Sequence, residues 1–416
     1  MVAVRPLGRP VSGLVRPPGS KSLTNRALVL ASLARTGVSR IGEPLEADDT
    51  GAMRRCLRGL GVMIDDNDDP WLVLGAGDEL RASDALDVGA SGTTARFVTA
   101  VACLARGRVT IDGSSRMRQR PMAPLVHALE AMGARLESSR GRLPIHISGG
   151  ELTGGRVTVD ATQSSQFASA VLMVAPMAES AVEVVLAGPV VSRPYLIGTV
   201  EMMRLFGAEV ETDDDRFHVA PTGYHKAAVT IEADASAAVY PAVAAAITGG
   251  SVAVVGIPAG SSQPDLAVLE VLSAMGCEVM REPDRIVVRG PGEPLGAVEA
   301  DLDGAPDGAL AVAVAALFAD GPSRLTGLST LRLKESDRLA ALEDEIEKMG
   351  GQARAGPDYL EIRPRRLHAA IVDPHDDHRI AMSLALVGLV VPGIEISDPG
   401  TVAKTWPGYF EMLKAL

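Results

Sequence analysis

Hydrophobic and polar positions recur along this chain with a period of roughly 70 residues. Five amphipathic helical stretches each end in an apolar residue, a glycine and a short β-like run: Leu60-Gly61, Met132-Gly133, Phe206-Gly207, Met275-Gly276 and Met349-Gly350. The glycines lie 72, 74, 69 and 74 residues apart, too regular for unrelated helix ends, although glycine is common there. A sixth helical stretch, residues 409–416, stops where its glycine would follow. A second series keeps the same beat. β-Branched strands turn at Gly42, Gly113, Gly188, Gly256, Gly327 and Asp398, which are 71, 75, 68, 71 and 71 apart. Between the markers each unit reads as an apolar helix, a strand, an amphipathic helix and two strands, which with a leading strand is a βαβαββ repeat.

The sixth copy lacks its closing strands, while the N-terminus offers an unassigned β-like pair, residues 2–7 and 11–15. Both strands are expected to complete the last unit. That sets the domains: residues 18–232 hold repeats one to three, and residues 1–17 plus 233–416 hold repeats four to six, joined by two chain crossings. The expected fold is α/β (α+β), six βαβαββ repeats, three per domain, with a cleft between the domains. A single repeat array without a cleft is the alternative. Nothing else in the chain resembles a linker.

Composition narrows the picture. The chain is 47% hydrophobic but 3% aromatic, so Ala, Val, Leu, Ile and Met must fill the core, which suits closely packed helices. A net charge of −12 argues against nucleic acid or an anionic membrane as the main partner, since either needs a basic face. Anionic small molecules would instead need local cationic pockets. Cys56, Cys103 and Cys277 are odd in number and scattered, and read as reduced structural thiols in a reducing compartment. Residues 1–13 have no apolar core of a signal peptide, so a cytoplasmic location is expected. The longest apolar run, residues 380–391, falls short of the roughly 20 that span a bilayer and reads as a buried helix. Only six of the 40 basic residues are lysines, at 21, 226, 334, 348, 404 and 414, so each lysine draws notice.

Polar clusters stand just before the apolar helices: Lys21-Ser22, Gly92-Thr93, Ser165-Gln166, Asp234-Ala235-Ser236, Pro306-Asp307 and Asp377-His378-Arg379. Another series stands where each second helix begins: Asp49, Arg120, Tyr195, Asp265, Glu335 and Lys404. Asp49, Asp234 and Asp265 read as N-caps. Capping does not account for Lys21, Arg26, Arg96, Arg120, Arg338, Arg379 or Lys404, because cations near a helix N-terminus oppose its dipole. An anion joining them would reverse that cost, and helix N-termini hold phosphates and carboxylates well.

Nine short motifs in order carry a resemblance. They are Pro18-Gly19-Ser20-Lys21-Ser22 with Asn25-Arg26; Gly92-Thr93 with Arg96; Arg116-Met117 through Arg120-Pro121; and Ser164-Ser165-Gln166-Phe167. Ser192-Arg193-Pro194-Tyr195, Pro306-Asp307, Lys334-Glu335-Ser336-Asp337-Arg338, Asp377-His378-Arg379 and Ala403-Lys404-Thr405 follow. Nearly end to end, the chain resembles the enolpyruvyl transferase family, and within it the enzymes whose acceptor is shikimate 3-phosphate.

The resemblance implies transfer of the enolpyruvyl group of phosphoenolpyruvate to the 5-hydroxyl of shikimate 3-phosphate, with release of phosphate, in the route to chorismate and aromatic amino acids. It implies no cofactor and no metal. By similarity Lys21, Ser22, Arg26, Ser164, Ser165, Gln166, Ser192, Tyr195, Asp307 and Lys334 would meet shikimate 3-phosphate. Lys21, Gly92, Gln166, Arg120, Arg338, Arg379 and Lys404 would meet phosphoenolpyruvate. Asp307 would accept the hydroxyl proton, Glu335 would protonate the methylene carbon, and Lys21 would join them as a catalytic group. A carboxylate and a carboxylic acid divide the proton transfers, arginine grips phosphate and carboxylate through paired N–H groups, and lysine adds a compact charge. A monomer is expected, and the resemblance makes the family's inhibitor glyphosate a candidate ligand.

Three positions depart from the family's pattern: Ala90 where Asn is usual, Phe97 where Pro follows Arg96, and Thr330 where some members have Asn. They put the packing of the phosphoenolpyruvate pocket and the response to glyphosate in question. Other readings stay open. The sister enzyme acting on UDP-N-acetylglucosamine typically uses a loop cysteine, but residues 112–120 hold none. A metal hydrolase could be built on His375-Asp376-Asp377-His378, and a catalytically dead homologue could bind ligands without turnover.

Overall fold

The glycine beat is a repeated helix stop. A computed structural model describes residues 1–83 and 85–416, and in it Gly61, Gly133, Gly207, Gly276 and Gly350 have φ of 87°, 94°, 89°, 103° and 86°. Only a residue without Cβ takes that left-handed conformation without strain. Each glycine N–H closes back on the helix, and the next N–H reaches five residues back: Val62 N to Leu57 O at 3.1 Å, Ala134 N to Leu129 O at 3.0 Å, Ala208 N to Met203 O at 3.1 Å, Cys277 N to Leu272 O at 3.0 Å and Gly351 N to Ile346 O at 3.0 Å. These bonds satisfy the last carbonyls of five helices with one device. The second series is less uniform: Gly188, Gly256 and Gly327 have positive φ, while Gly42 and Gly113 do not.

The chain divides into two compact units, Gly19–Ile231 and Met1–Pro18 with Glu232–Leu416. Within Gly19–Ile231 three helices, Lys21–Leu33, Gly92–Ala102 and Ser165–Val174, pack together as the inner layer. Every residue of Gly92–Ala102 is buried, so this helix is enclosed on all sides rather than lying on the core by one stripe. Leu28, Leu30 and Leu33 are fully buried on the first helix, each contributing about 2 kcal/mol by leaving water. The outer helices Asp48–Gly59, Ala123–Ala131 and Pro194–Leu205 keep exposed faces.

Each repeat closes with a small mixed sheet. In the third repeat the order is Gly155–Asp160, Val182–Ala187, Arg216–Val219, Val210–Asp213, the first pair parallel and the others antiparallel. Residues alternate buried and half-buried along Val182–Ala187, so one face lies on the helices. The same order recurs in five sheets among the described residues. The first repeat borrows its leading strand, Ala228–Thr230, from the far end of its own unit, in parallel with Val38–Gly42.

The other unit has the same plan, with inner helices Ala235–Thr248, Ala309–Ala316 and His378–Ala385. Residues 380–389 and 391 are buried while Val390 is exposed, and the run changes from α-helix to a 3-10 turn at Leu386–Leu389. The two N-terminal strands part company. Val2–Val4 pairs antiparallel with Ile394–Ile396 and completes the sixth sheet, but Ser12–Val15 pairs parallel with Ser251–Val255 and opens the fourth. The expectation that both would complete the last repeat is corrected: the fourth repeat lacked a leading strand, and the backbone groups of Ser251–Val255 needed that partner.

No helix among the described residues is long and apolar enough to cross a membrane. The three cysteines are free and buried.

Candidate active site

In Gly19–Ile231 the inner helices start where the polar motifs stand. Lys21, Gly92 and Ser165 are their first residues. The side chains of Ser91 and Ser164 accept from Thr94 N and Gln166 N, so two starts are capped by serine. Lys21 lies 3.3 Å from Asp49 across the helix starts. Asp49 is inside the helix Asp48–Gly59, so it pairs with a cation rather than capping. Gln166 ties two helices: its Nε2 donates to Thr93 Oγ1 at 3.1 Å and its Oε1 accepts from Arg96 Nη1 at 2.8 Å. Arg120 lies over Gly92 so closely that a Cβ there would be 2.5 Å from Arg120 Nη1. A side chain there would push aside the guanidinium ends of Arg120 and Arg96.

Arg26 sits one turn in from Ser22 and is buried. Its Nε donates to Thr199 Oγ1 at 2.7 Å, Nη1 to Ser22 O at 3.0 Å, and Nη2 to Ser169 Oγ and Tyr195 O, both at 3.3 Å. Ser192 holds φ of 53°, a left-handed turn before the helix Pro194–Leu205 that carries Tyr195. Burial lowers the Arg26 pKa to about 10, the nearby Tyr195 opposing only in part. Ser169 and Thr199 were not singled out from sequence. Each is a polar residue four positions past a motif residue, Ser165 and Tyr195, and so one turn on along the same helix face, and that spacing was the available signal.

In the other unit the motif residues from four segments form one charged cluster. Asp307 stands in the 3-10 turn Pro306–Gly308 ahead of an inner helix. Lys334 and Glu335 lie just before the helix Arg338–Lys348, and Arg379 is second in His378–Ala385. Lys404 closes the turn Pro399–Lys404. Arg338, with 1% of its side chain exposed, donates to three carboxylates: Asp307 at 2.8 Å, Glu335 at 2.9 Å and Asp377 at 2.7 and 3.1 Å. Lys334 and Arg379 each lie 3.3 Å from Asp307, and Lys404 lies 3.1 Å from Glu335.

The electrostatics follow from that geometry. Burial would raise the Asp307 pKa, but Lys334, Arg379 and Arg338 outweigh it and Glu335's repulsion, holding the carboxyl well below its ordinary value. Arg338 is pushed up despite burial by Asp377, Glu335 and Asp307. Asp377 was quoted in a motif without a role. It is fully buried, caps its helix through Arg379 N at 2.9 Å, accepts from Ser336 Oγ at 3.2 Å and grips the Arg338 side edge. Asp234 caps Ala235–Thr248 through Ser236 N at 2.8 Å, as expected. Asp265 does not cap. It takes the Ser236 hydroxyl at 2.6 Å inside the fold, because its own turn, Pro264–Leu266, opens with Gln263 at the N-cap.

His375-Asp376-Asp377-His378 diverges. His375 Nε2 lies 3.0 Å from Glu345 Oε1, whereas Asp377 faces Arg338, so these donors do not converge on one ion. Among the described residues no group of three or more His, Cys, Asp or Glu is arranged to hold a metal.

Comparison with known proteins gives the family. The family model described as EPSP synthase (3-phosphoshikimate 1-carboxyvinyltransferase) matches residues 7–413. A 3-phosphoshikimate 1-carboxyvinyltransferase of Methanoculleus marisnigri is 41% identical, over 97% of this chain and 96% of its own. Another from Syntrophobacter fumaroxidans is 43% identical over 98% of each. The solved EPSP synthase of Acinetobacter baumannii superposes with a TM-score of 0.82 at 27% identity, covering 99% of this chain and 97% of that one.

Proposed function

The chain belongs to the EPSP synthase (3-phosphoshikimate 1-carboxyvinyltransferase) family, and from that premise we propose how its own residues carry out the transfer. Phosphoenolpyruvate gives its enolpyruvyl group to the 5-hydroxyl of shikimate 3-phosphate. The reading rests above all on Arg338, which binds Asp307 and Glu335 at once and so brings two candidate proton carriers to one guanidinium.

Arg338, Arg379, Lys404, Lys21, Arg120 and Gln166 hold phosphoenolpyruvate, with Gly92 leaving room for its anion against Arg120. Ser22, Arg26, Ser164, Ser165, Gln166, Ser192, Tyr195, Lys21 and Lys334 hold shikimate 3-phosphate. The substrate anions take over N–H groups that Asp307 and Glu335 occupy in the free protein. Glu335, carrying a proton, gives it to the methylene carbon, and C2 becomes cation-like. The 5-hydroxyl oxygen bonds to C2 while Asp307, held as a carboxylate, takes the hydroxyl proton. The tetrahedral intermediate then loses a methyl proton to the Glu335 carboxylate as the C2–O bond to phosphate breaks, restoring the double bond, and Asp307 passes its proton to the departing phosphate, so both carboxyl groups return to their starting states. Lys21, Arg338 and Arg379 offset the charge developing on the departing phosphate.

On the same reading the protein is a cytoplasmic monomer that needs neither metal nor cofactor, and glyphosate meets the residues that hold phosphoenolpyruvate. The test is phosphate release from phosphoenolpyruvate with each acceptor in turn, before and after exhaustive chelation. Turnover with shikimate 3-phosphate, undiminished by chelation, is expected. Turnover with UDP-N-acetylglucosamine alone, or none with either, would overturn the assignment.

A further inference from the structure

Arg26 and Arg338 are both buried arginines, but they are held in opposite ways. Arg338 is matched by three carboxylates. Arg26 donates only to two hydroxyls and two backbone carbonyls, and among the described residues no carboxylate pairs with it. What Arg26 has instead is an aromatic face. Its guanidinium carbon lies 5.3 Å from the ring centroid of Phe97, which is fully buried on the helix Gly92–Ala102. Phe97 is one of only six phenylalanines in the chain. The neighbouring Arg96 repeats the arrangement one helix further on, with its guanidinium carbon 5.1 Å from the centroid of Phe167.

The two kinds of support differ in what they leave for a ligand. A carboxylate cancels the charge of a guanidinium and repels an incoming anion. An aromatic ring attracts the cation through its quadrupole but carries no net charge, so the cation keeps its field. Hydroxyl and carbonyl oxygens likewise orient the N–H groups without neutralising them. Burial then acts against the bare cation, and an arriving anion relieves that penalty.

We propose that Phe97 is a positioning residue for the acceptor: its ring holds the buried Arg26 guanidinium in place of a carboxylate, leaving the positive charge available to the anionic acceptor substrate. The proposal rests on the reading that Arg26 holds shikimate 3-phosphate. It makes Phe97 a determinant of affinity for the acceptor, with little influence on phosphoenolpyruvate.

The experiment measures shikimate 3-phosphate binding to the full chain by calorimetry, for the wild type, Phe97→Leu, Arg26→Gln and the double variant. A fifth protein carries trifluorophenylalanine at position 97, which keeps the ring's shape but removes most of its quadrupole. Phe97→Leu is expected to weaken binding about fivefold in the wild-type background and not at all beside Arg26→Gln. The fluorinated ring should weaken it about threefold with an unchanged melting temperature, and the KM for phosphoenolpyruvate should stay within about twofold. Should Phe97→Leu misfold, the fluorinated protein still decides. If Arg26→Gln leaves binding unchanged, the reading of Arg26 fails and the proposal with it. If Arg26→Gln weakens binding but the fluorinated protein binds as the wild type does, the reading stands and the role of Phe97 is refuted. An equal loss from Phe97→Leu in both Arg26 backgrounds would make the ring mere packing, and would equally refute it.

Discussion

Replacing Asp377 by asparagine removes one charge from the most buried ion pair of the cluster. Asp377 and Arg338 are 0% and 1% exposed, and the two contacts between them are 2.7 and 3.1 Å. The amide of the Asp377→Asn variant would keep an oxygen for Arg379 N, so the helix cap survives. That oxygen would still accept from Arg338 Nη2, but an NH2 group would replace the Oδ2 that accepts from Arg338 Nε and Ser336 Oγ. Hydrogen bonds to charged groups are worth about 1.5 to 3 kcal/mol each, and breaking one side of a buried pair costs about 3 to 5 kcal/mol in all. Asp307 and Glu335 continue to offset the Arg338 charge, which places the loss near the lower end, about 3 kcal/mol. For a unit of roughly 200 residues that lowers the melting temperature by about 6 to 12 °C. The guanidinium would also be freed to rotate, so the KM for phosphoenolpyruvate should rise by about tenfold or more while shikimate 3-phosphate still binds. Urea unfolding followed by circular dichroism gives the stability change, and steady-state phosphate release gives the KM. A stability loss below about 1 kcal/mol with an unchanged KM would refute the account of Asp377 as the residue that orients Arg338.

Other outcomes follow from the same geometry. Asp307 has a depressed pKa when folded, so its contribution to stability is complete above its unfolded value near pH 4 and is lost as pH falls through the lower folded value. The stability difference between wild type and Asp307→Asn should therefore be constant from about pH 5 to 7 and shrink in stronger acid, as read by urea unfolding at each pH; a difference that grows towards acid would contradict it. Turnover of Asp307→Ala should fall by orders of magnitude with both substrates still bound, which single-turnover kinetics and calorimetry measure separately. Gly92→Ala places a Cβ 2.5 Å from Arg120 Nη1, so the KM for phosphoenolpyruvate should rise by about tenfold without loss of stability, and an unchanged KM would remove Arg120 from that contact. Burial pushes Cys56 up to about 12 and Cys277 to about 11, so a thiol reagent at pH 8 should titrate no cysteine until denaturant is added.

Much of this protein was legible as sequence because its architecture is repetitive and local. A helix that must stop announces itself by a glycine, and Gly61, Gly133, Gly207, Gly276 and Gly350 do so five times at nearly equal spacing. The short motifs Lys21-Ser22, Gly92-Thr93 and Ser165-Gln166 mark helix starts because capping and free N–H groups are properties of a few consecutive residues. Those motifs also sufficed to point to the family.

Contacts that bring distant segments together were decided only by the tertiary structure. Nothing local told Ser12–Val15 to open the fourth sheet while Val2–Val4 closed the sixth; an unpaired strand edge chose each partner. Asp49 looked like a cap and became the partner of Lys21, because the direction of a side chain depends on the helix packed beside it. Ser169 and Thr199 gained meaning only when three helices brought them to Arg26, and Asp377 only when it met a guanidinium 39 positions earlier. Periodicity and capping are short-range and can be read along a line. Which charges meet is set by how the buried faces pack, and for Arg26 and Arg338 that packing produced opposite answers, one cation left to a ring and one shared among three carboxylates.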